Sequence, residues 1–182
     1  MAMKGIDQTP IVSGNIAIFP LTDGRHFLVD ASDVELVRQF HWHAACRGRY
    51  VARNKKNEVG EWGALEYLHR YLMSPTNGLH VDHANGDGLD NRRSNLRLAT
   101  RFENLRNQRK QKNRSSKFKG VTWHAARGKW RAQIDTKGLP RSEGHLGYFM
   151  SEEAAAVAYD AAAIRIFGEF ARLNFNRNEE AA

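Results

Sequence analysis

The sequence contains little cysteine, no long apolar run and, over one long stretch, almost no acidic residues. Cys46 is the single cysteine among 182 residues, which excludes a disulfide within the chain and fits a reducing compartment. No segment approaches the roughly 18 consecutive apolar residues of a membrane helix, and the amino-terminal MAMKGIDQTP lacks the apolar run of a signal peptide. We therefore expect a cytoplasmic protein that does not associate with membranes.

Acidic residues are nearly absent from one basic stretch. Between Arg92 and Arg131 the sequence has 14 lysines and arginines and a single acid, Glu103, so half of the 28 basic residues lie there. The whole chain has a formal net charge of +8 and a pI near 9.9. A charged run is often only a solvated face, but this run continues from one predicted folded unit into the next, which favours phosphate contacts. The composition predicts an anionic partner, with nucleic acid the first candidate.

Residues 79–107, LHVDHANGDGLDNRRSNLRLATRFENLRN, are the most informative stretch. Turn-forming residues and apolar spacing predict its elements in order. These are a strand ending at residues 81–83, a hairpin reversal at 84–90, a returning strand at 95–99, and a helix at 101–111 capped by Thr100. This strand, strand, helix unit would bring Asp82, His83 and Asn104 into one small space.

The chemistry of these three side chains fits hydrolysis of a phosphodiester. Magnesium prefers oxygen ligands, which the Asp82 carboxylate and the Asn104 amide provide. His83 has an ordinary pKa near neutrality and can take a proton from an attacking water. A lone Asp-His pair is common, and a turn rich in Asn, Asp and Gly is usually only a turn. The ordered set DH, DNRRSNLR and TRFEN is far more specific than any one of its parts.

This ordered set resembles the HNH endonuclease motif of the ββα-metal type, especially the branch found in phage and intron homing endonucleases. The resemblance implies a divalent metal, Mg²⁺ or Mn²⁺, held by Asp82 and Asn104, with His83 as the general base. It also implies that Asn95 pins the loop and orients His83, with Asn91 a second candidate for that role. Asn104 stands where the name-giving pattern has histidine. The single cysteine excludes the four-cysteine zinc site that braces some HNH proteins.

The first seventy residues carry weaker signals. The predicted elements are strands at 16–19 and 26–29, a helix from Ser32 or Asp33 through Phe40, a hairpin of 42–45 with 50–52, and a helix at 65–73. His69, on that last helix, lies close in sequence to the site and could support it, although a lone histidine on an amphipathic helix is more often a packed or surface residue. The residues predicted to lie in the core are Trp42, Trp62 and Tyr67.

The carboxy-terminal part predicts a second unit. Its elements are strands at 118–123, 129–135 and 143–149, and a helix from the Ser151 cap to Gly168. The pieces FKGVTW, GKWRAQI, LGYF, EEAAAVAYDAAA and ARLNF resemble the plant ethylene-response-factor, or Apetala-two, DNA-binding domain. The resemblance implies a three-stranded sheet that lies in the major groove of duplex DNA. Several base-contacting positions differ from the plant pattern, so its sequence preference does not carry over.

The sequence therefore predicts an α+β protein that is a DNA endonuclease of the phage homing type. The predicted organisation is an amino-terminal tail at 1–14, an HNH domain at 15–112, a basic linker at 113–116, a DNA-binding domain at 117–177 and a tail at 178–182. The residues predicted to contact double-stranded DNA, with Thr122 and Gln133 as base readers and the others mostly on phosphates, are Arg92, Arg93, Arg97, Arg101, Lys110, Lys112, Arg114, Lys119, Thr122, His124, Arg127, Lys129, Arg131, Gln133 and Arg141.

Two alternatives stay open at this point. One is a DNA-binding regulatory protein whose nuclease-like half has lost activity, and the other is an RNA-binding accessory protein, which the charge allows. The single-histidine site predicts a monomer that cuts one strand, or both in succession. We expect it in the cytoplasm of a bacterial host, associated with the nucleoid or with phage DNA.

Overall fold

The computed structural model of the protein describes residues 7–56, 59–108, 110, 115–135 and 141–175. The described chain contains both helices and sheets, and the strand pairings within each sheet are antiparallel, so the predicted α+β class is confirmed. The chain forms two compact units, residues 1–104 and 105–182. Of the predicted linker, residues 113 and 114 lie outside the described part, as do the predicted tail at 178–182 and the first six residues.

The amino-terminal unit contains eight described strands in three sheets, with short helices between them. The first sheet has the order β1 (Ile11–Ser13), β2 (Ile16–Pro20), β3 (His26–Asp30). The second has the order β4 (His43–Ala45), β5 (Tyr50–Lys56), β6 (Trp62–Tyr67). The third pairs β7 (His80–His83) with β8 (Leu96–Ala99). The helices are α1 (Val34–Val37), α2 (Leu68–Met73) and α3 (Arg101–Arg106), with 3₁₀ turns at Ala31–Asp33 and Arg93–Asn95. The last two residues of α3 belong to the second unit.

The core of this unit is built from alternating strand residues. In β2 and β3 every second side chain is buried, as expected for strands with one covered face. Phe19 and Phe27, paired across these strands, stack with ring centroids 5.1 Å apart. Trp42 is fully buried, as predicted, and its indole N–H donates to the carbonyl of Val37 at 2.9 Å. Val81 of β7 and Leu96 of β8 belong to this core, so the hairpin that they form is packed against it.

Three predictions for this unit are wrong in detail. Residues 65–67 belong to β6, because Leu65 pairs with Asn54 on β5, and this cross-strand pairing overrides the local helical spacing. The α-helix near residue 33 covers only Val34–Val37. Trp62 was predicted to lie in the core but is 72% exposed at the start of β6, which is an edge strand. Tyr67 is half-buried.

The carboxy-terminal unit is a three-stranded sheet packed on one long helix. The strands are β9 (Val121–His124), β10 (Lys129–Gln133) and β11 (His145–Phe149), in the order β11, β10, β9. The helix α4 (Glu152–Phe167) begins where the Ser151 hydroxyl accepts a hydrogen bond from the backbone N–H of Ala154 and ends at Gly168. The alanines buried along α4 let it lie close to the sheet; they are Ala155, Ala156, Ala162 and Ala163. No helix in the described part of the chain is long and apolar enough to cross a membrane.

Candidate active site

The β7–β8 hairpin places Asp82 and His83 next to each other at the end of β7, both about 5% exposed. Asp82 faces Arg97 across the ladder, and His83 faces Leu96. The guanidinium of Arg97 donates from Nε and Nη2 to Oδ2 of Asp82, at 2.9 and 2.7 Å. The Asp82 carboxylate is thus largely excluded from water and is paired with a cation of the protein itself.

The loop between the two strands is fixed by Asn95. Its Oδ1 accepts a hydrogen bond from the backbone N–H of Asn85 at 2.9 Å, and its Nδ2 donates to the carbonyl of Asp90 at 2.7 Å. The Asp90 carboxylate accepts from Asn85 Nδ2 at 3.0 Å and from Arg92 Nε at 2.8 Å. The hydrogen bond from Arg92 lowers the pKa of Asp90 below its ordinary value. The loop is therefore held at both ends by side chains of its own residues.

His83 is enclosed by aromatic rings. The ring of His69 meets that of His83 edge to face with centroids 5.0 Å apart, and the ring of Tyr50 lies 6.0 Å away. The Nε2 of His83 lies 3.3 Å from Oδ1 of Asn91. Because that oxygen can only accept, Nε2 carries the proton and Nδ1 keeps its lone pair. Burial lowers the pKa of His83, and the hydrogen bond to Asn91 and the charge of Asp82 oppose this change.

His69 is also a buried, neutral side chain. Burial lowers its pKa to about 3, with smaller contributions from His83 and Arg70. Its Nδ1 has no hydrogen-bond partner within the described part of the chain. The ring of His69 stacks on that of Tyr67, with centroids 5.5 Å apart. The structure thus places His69 directly against the predicted general base.

Asn104 lies on α3, which follows β8 after the single residue Thr100. Thr100 and Glu103 form a reciprocal cap, in which the backbone N–H of Thr100 donates to Glu103 Oε2 at 2.7 Å and that of Glu103 donates to Thr100 Oγ1 at 3.3 Å. The helix ends at Arg106, not near residue 111 as predicted, and Asn107 is a turn residue. Residues 109 and 111 lie outside the described part of the chain.

The donor atoms of Asp82 and Asn104 fit a hard divalent cation. A carboxylate oxygen and an amide oxygen are the groups Mg²⁺ prefers, and this ion commonly takes one or two protein ligands beside water and phosphate oxygens. Among the described residues, no group of three or more His, Cys, Asp or Glu side chains is arranged to hold a metal. The chemistry of this pair therefore suits an ion that is completed by substrate, and does not suit a closed structural zinc site.

Comparisons with known proteins identify the same segment. A family model described as HNH endonuclease matches residues 73–106. An uncharacterised HNH endonuclease of Acanthamoeba polyphaga mimivirus is 33% identical over 141 residues, which cover 76% of this chain and 69% of the mimivirus protein. The chain belongs to the HNH endonuclease family. Protein 3.8 of Escherichia phage T7 is 36% identical over 61 residues, 34% of this HNH protein and 50% of the phage protein.

A second group of relatives comes from plants. An APETALA2-like protein of Oryza sativa subsp. indica is 40% identical over 68 residues, and an AP2-like ethylene-responsive transcription factor of Arabidopsis thaliana is 42% identical over 64. These matches cover 37% and 35% of the HNH protein. The chain spans only 15% and 13% of the length of these plant relatives. No solved structure matches the chain.

Three arginines predicted to contact DNA from the HNH segment are engaged in ion pairs. Arg92 pairs with Asp90, Arg97 with Asp82, and Arg93 with Asp33, which is 60 residues away in the sequence. Arg101 is exposed on α3, and Lys110 is half-buried. Lys112 and Arg114 lie outside the described part of the chain.

The predicted DNA-binding residues of the carboxy-terminal unit fall into two groups. Lys119 is turned inward, since its ammonium donates to the backbone carbonyls of Arg106 and Gln108, the latter at 2.8 Å. The others lie on the sheet or its turns: Thr122, His124, Arg127, Lys129, Arg131 and Gln133. Of the polar atoms on β9 and β10, Thr122 Oγ1, His124 Nδ1 and Arg131 Nε are buried and have no hydrogen-bond partner within the described residues. The side chain of Arg141 lies outside the described part.

Two residues of the site were not predicted from the sequence. Tyr50, on β5, gives no local signal, because its contact with His83 joins positions 33 residues apart. Gly88 lies in the turn-rich segment, and a Cβ there would come within 2.1 Å of the carbonyl of Arg49 and 2.5 Å of the Tyr50 ring. A glycine inside a turn-rich reversal is a weak sign of such close backbone approach, so this residue could have been suspected.

Proposed function

We propose that this HNH protein is a metal-dependent DNA endonuclease in which His83 is the general base and Asp82 and Asn104 hold the metal. The observation that carries the proposal is the position of His83: it is buried beside Asp82, and Asn91 accepts from its Nε2. This geometry leaves Nδ1 as the basic atom. The Asn95 hydrogen bonds support its proposed role in holding the loop on which His83 depends.

In the proposed mechanism, neutral His83 accepts a proton at Nδ1 from the water that attacks phosphorus. A lowered pKa keeps the ring unprotonated near neutral pH, as a general base requires. The negative charge of Asp82, one residue away, stabilises the imidazolium that forms. When bound, Mg²⁺ or Mn²⁺ polarises the scissile phosphate and stabilises charge on the leaving oxygen. His69 fills the space beside the His83 ring and fixes its orientation.

The carboxy-terminal unit is proposed to bind duplex DNA. Its three-stranded sheet on one helix and the plant relatives support this role. In this arrangement, residues 15–112 form the nuclease domain and residues 117–177 add affinity and register through a tethered second contact. The basic linker adds phosphate contacts.

One observation favours a second candidate, a DNA-binding regulator with a degenerate nuclease site. The two hydrogen bonds from Arg97 to Asp82 supply a protein cation at a position proposed to bind metal. A carboxylate neutralised in this way has less need of a metal ion. The two functions predict the same DNA binding but opposite results in a cleavage assay.

The deciding experiment is cleavage of supercoiled plasmid by the full chain with Mg²⁺ or Mn²⁺, beside an EDTA reaction and the His83→Ala variant. His80→Ala is the matched control, because His80 is exposed on the same strand. We expect metal-dependent relaxed or linear DNA from the native chain and from His80→Ala. His83→Ala should bind DNA but leave it intact. Binding without cleavage by the native chain, over plasmids carrying diverse phage and host DNA, would favour the regulator.

A further inference from the structure

A concave surface in the amino-terminal unit lies outside the proposed active site. It has a volume of about 590 Å³, within the range of roughly 300–1,000 Å³ typical of ligand sites. It is formed by the segment after α1 together with β4, β5 and β6. We name it the Trp62 groove and define it by the lining residues that matter here, which are Phe40, Arg53, Lys55, Lys56 and Trp62.

Aromatic side chains provide the apolar part of the groove. Trp62 is 72% exposed, so most of its ring is accessible, whereas Phe40 is 36% exposed and is partly covered by Arg53. The Nζ of Lys56 lies 5.0 Å from the centroid of the Trp62 ring, on the neighbouring strand. This cation–π contact holds the indole in place on an edge strand whose side chains would otherwise be loosely packed. Trp62 therefore offers a preorganised flat surface.

Basic side chains provide the charged part. Arg53 forms the floor, where its guanidinium carbon lies 3.3 Å from the centroid of the Phe40 ring and its Nε donates to Glu66 Oε2 at 2.6 Å. The side chain of Lys55 is 62% exposed. Its Nζ lies 3.9 Å from Oε1 of Glu66, which is long for an ion pair, so the ammonium stays largely hydrated. None of the described residues that line the groove is acidic. The groove thus combines aromatic faces with positive charge.

We propose that the Trp62 groove binds an unpaired stretch of nucleic acid, with a base stacked on Trp62 and phosphates on Lys55 and Lys56. Aromatic side chains beside a positive track are how single strands are bound without base pairing. A duplex buries both faces of its bases, so an exposed indole face gains its stacking energy only from an unpaired base. On β5 the groove runs from Arg53 to Lys56, and Lys56 lies six residues from Tyr50, or about 20 Å in an extended strand. The inference goes beyond the cleavage function and does not depend on it.

The test measures binding of the full chain, in EDTA, to a labelled oligothymidine of about 12 nucleotides and to a duplex of the same length. Trp62→Ala should weaken single-strand binding about tenfold, or ~1.4 kcal/mol, as expected for one lost base–aromatic stack. Duplex binding should change by less than about twofold, because the carboxy-terminal unit is proposed to supply it. Ile11→Ala is the control, since Ile11 is 69% exposed in the same unit and should alter neither affinity.

A second variant tests the charged part. Affinity falls as salt rises, and Lys56→Gln should make this dependence less steep. For the single strand, the slope of log affinity against log salt should become smaller in magnitude by about 0.7, the value for one phosphate contact. Arg38→Gln removes the same charge from an exposed residue that does not line the groove and should leave the slope unchanged. An oligouridine of equal length distinguishes the source of the strand. Tighter binding of oligothymidine assigns the groove to DNA, tighter binding of oligouridine assigns it to RNA, and both are consistent with the inference.

Crosslinking with an iodouracil-substituted oligonucleotide gives an independent reading, because it locates the base without relying on affinity. A crosslink to Trp62 supports the inference. Crosslinking to Trp123 of the carboxy-terminal unit alone would overturn it, as would unchanged oligothymidine affinity in Trp62→Ala or an equal loss of duplex binding. If Trp62→Ala lowers the urea midpoint, the single-strand and duplex affinities are measured instead for Trp62→Leu. This substitution keeps apolar bulk but removes the stacking face.

Discussion

Asp82 and Arg97 face each other across the β7–β8 ladder, and two hydrogen bonds from the guanidinium end on the same carboxylate oxygen. Their side chains are 6% and 16% exposed. A carboxylate this buried is stable only with a partner, since its charge is shielded from water. Arg97 therefore has a structural role in addition to any contact with phosphate. A metal that binds Asp82 would also lie near the positive charge of Arg97.

Replacing Arg97 with glutamine should destabilise the amino-terminal unit by about 3 kcal/mol, because the buried Asp82 carboxylate loses the two charge-assisted hydrogen bonds that it accepts from the guanidinium. Mg²⁺ at about ten times its dissociation constant should restore about 1.4 kcal/mol, because the ion binds only the folded state. Urea unfolding with and without Mg²⁺ measures both effects. Arg38→Gln breaks an exposed pair with Glu35 and should cost at most about 1 kcal/mol. If Mg²⁺ stabilises neither protein, Asp82 does not bind the ion in the absence of DNA.

Asn95→Asp should lower stability by about 2 kcal/mol and cleavage by more than about tenfold. The substitution keeps the acceptor for the Asn85 N–H but replaces the donor to the Asp90 carbonyl with an oxygen, so two acceptors face each other. Urea midpoints and plasmid cleavage rates measure the two effects. Asn15→Asp adds the same charge at an exposed position and should change either quantity little. A variant as stable and active as the native chain would exclude a pinning role for Asn95.

Substitutions of Arg93 and Arg101 should have different effects, because we expect Arg93 to stabilise the fold and Arg101 to contact DNA. Arg93 binds both carboxylate oxygens of Asp33, at 2.9 and 2.8 Å, so Arg93→Gln should cost about 2 kcal/mol and leave the salt dependence of duplex binding unchanged. Arg101→Gln should leave stability unchanged and lower the salt slope by about 0.9, as expected for one lost phosphate contact. Urea unfolding measures the stability of each variant, and salt titrations of duplex binding measure the phosphate contacts. The reverse pattern would assign the DNA contact to Arg93.

The hairpin and its loop could be predicted from the sequence because their signals are local. The turn residues between His83 and Asn95 fix a reversal, and the Thr100 cap fixes the start of α3. The same holds for the Ser151 cap and α4. In each case the hydrogen bonds join residues only a few positions apart, so a short stretch of sequence contains the whole determinant.

The long-range contacts could not be predicted. The pairing of Arg93 with Asp33 joins residues 60 positions apart, and the sequence alone gave the arginine a surface role. Trp62 was assigned to the core by residue type, whereas its exposure follows from β6 being an edge strand. The pairing of Asp82 with Arg97 was within reach, since both lie in one hairpin, but it required the register of the strands.

Gly120 and Gly128 should respond very differently to alanine. Both have positive φ, 77° and 58°, but a Cβ at Gly120 would lie 1.9 Å from the ring of Tyr159, whereas one at Gly128 meets nothing within 4 Å. Gly128→Ala should cost about 1 kcal/mol through backbone strain alone. Gly120→Ala should cost about 3 kcal/mol or more, because steric overlap adds to the strain. Thermal unfolding compares them, and a duplex gel shift should show loss of binding only for Gly120→Ala. Equal costs would mean that Tyr159 can move aside.

Lys119 should make stability rise with pH. Burial, aided by the charge of Arg172, lowers the pKa of Lys119 from 10.5 to about 8. Between these values the unfolded chain binds more protons than the folded chain, so the free energy of unfolding increases with pH, by about 1 kcal/mol from pH ~8 to ~9. The measurement is the native stability minus that of Lys119→Gln at each pH. Subtraction removes the contribution of Tyr159, whose pKa burial raises in both proteins. A difference that stays flat, or falls, over this range would mean that the ammonium remains hydrated and is available to a phosphate.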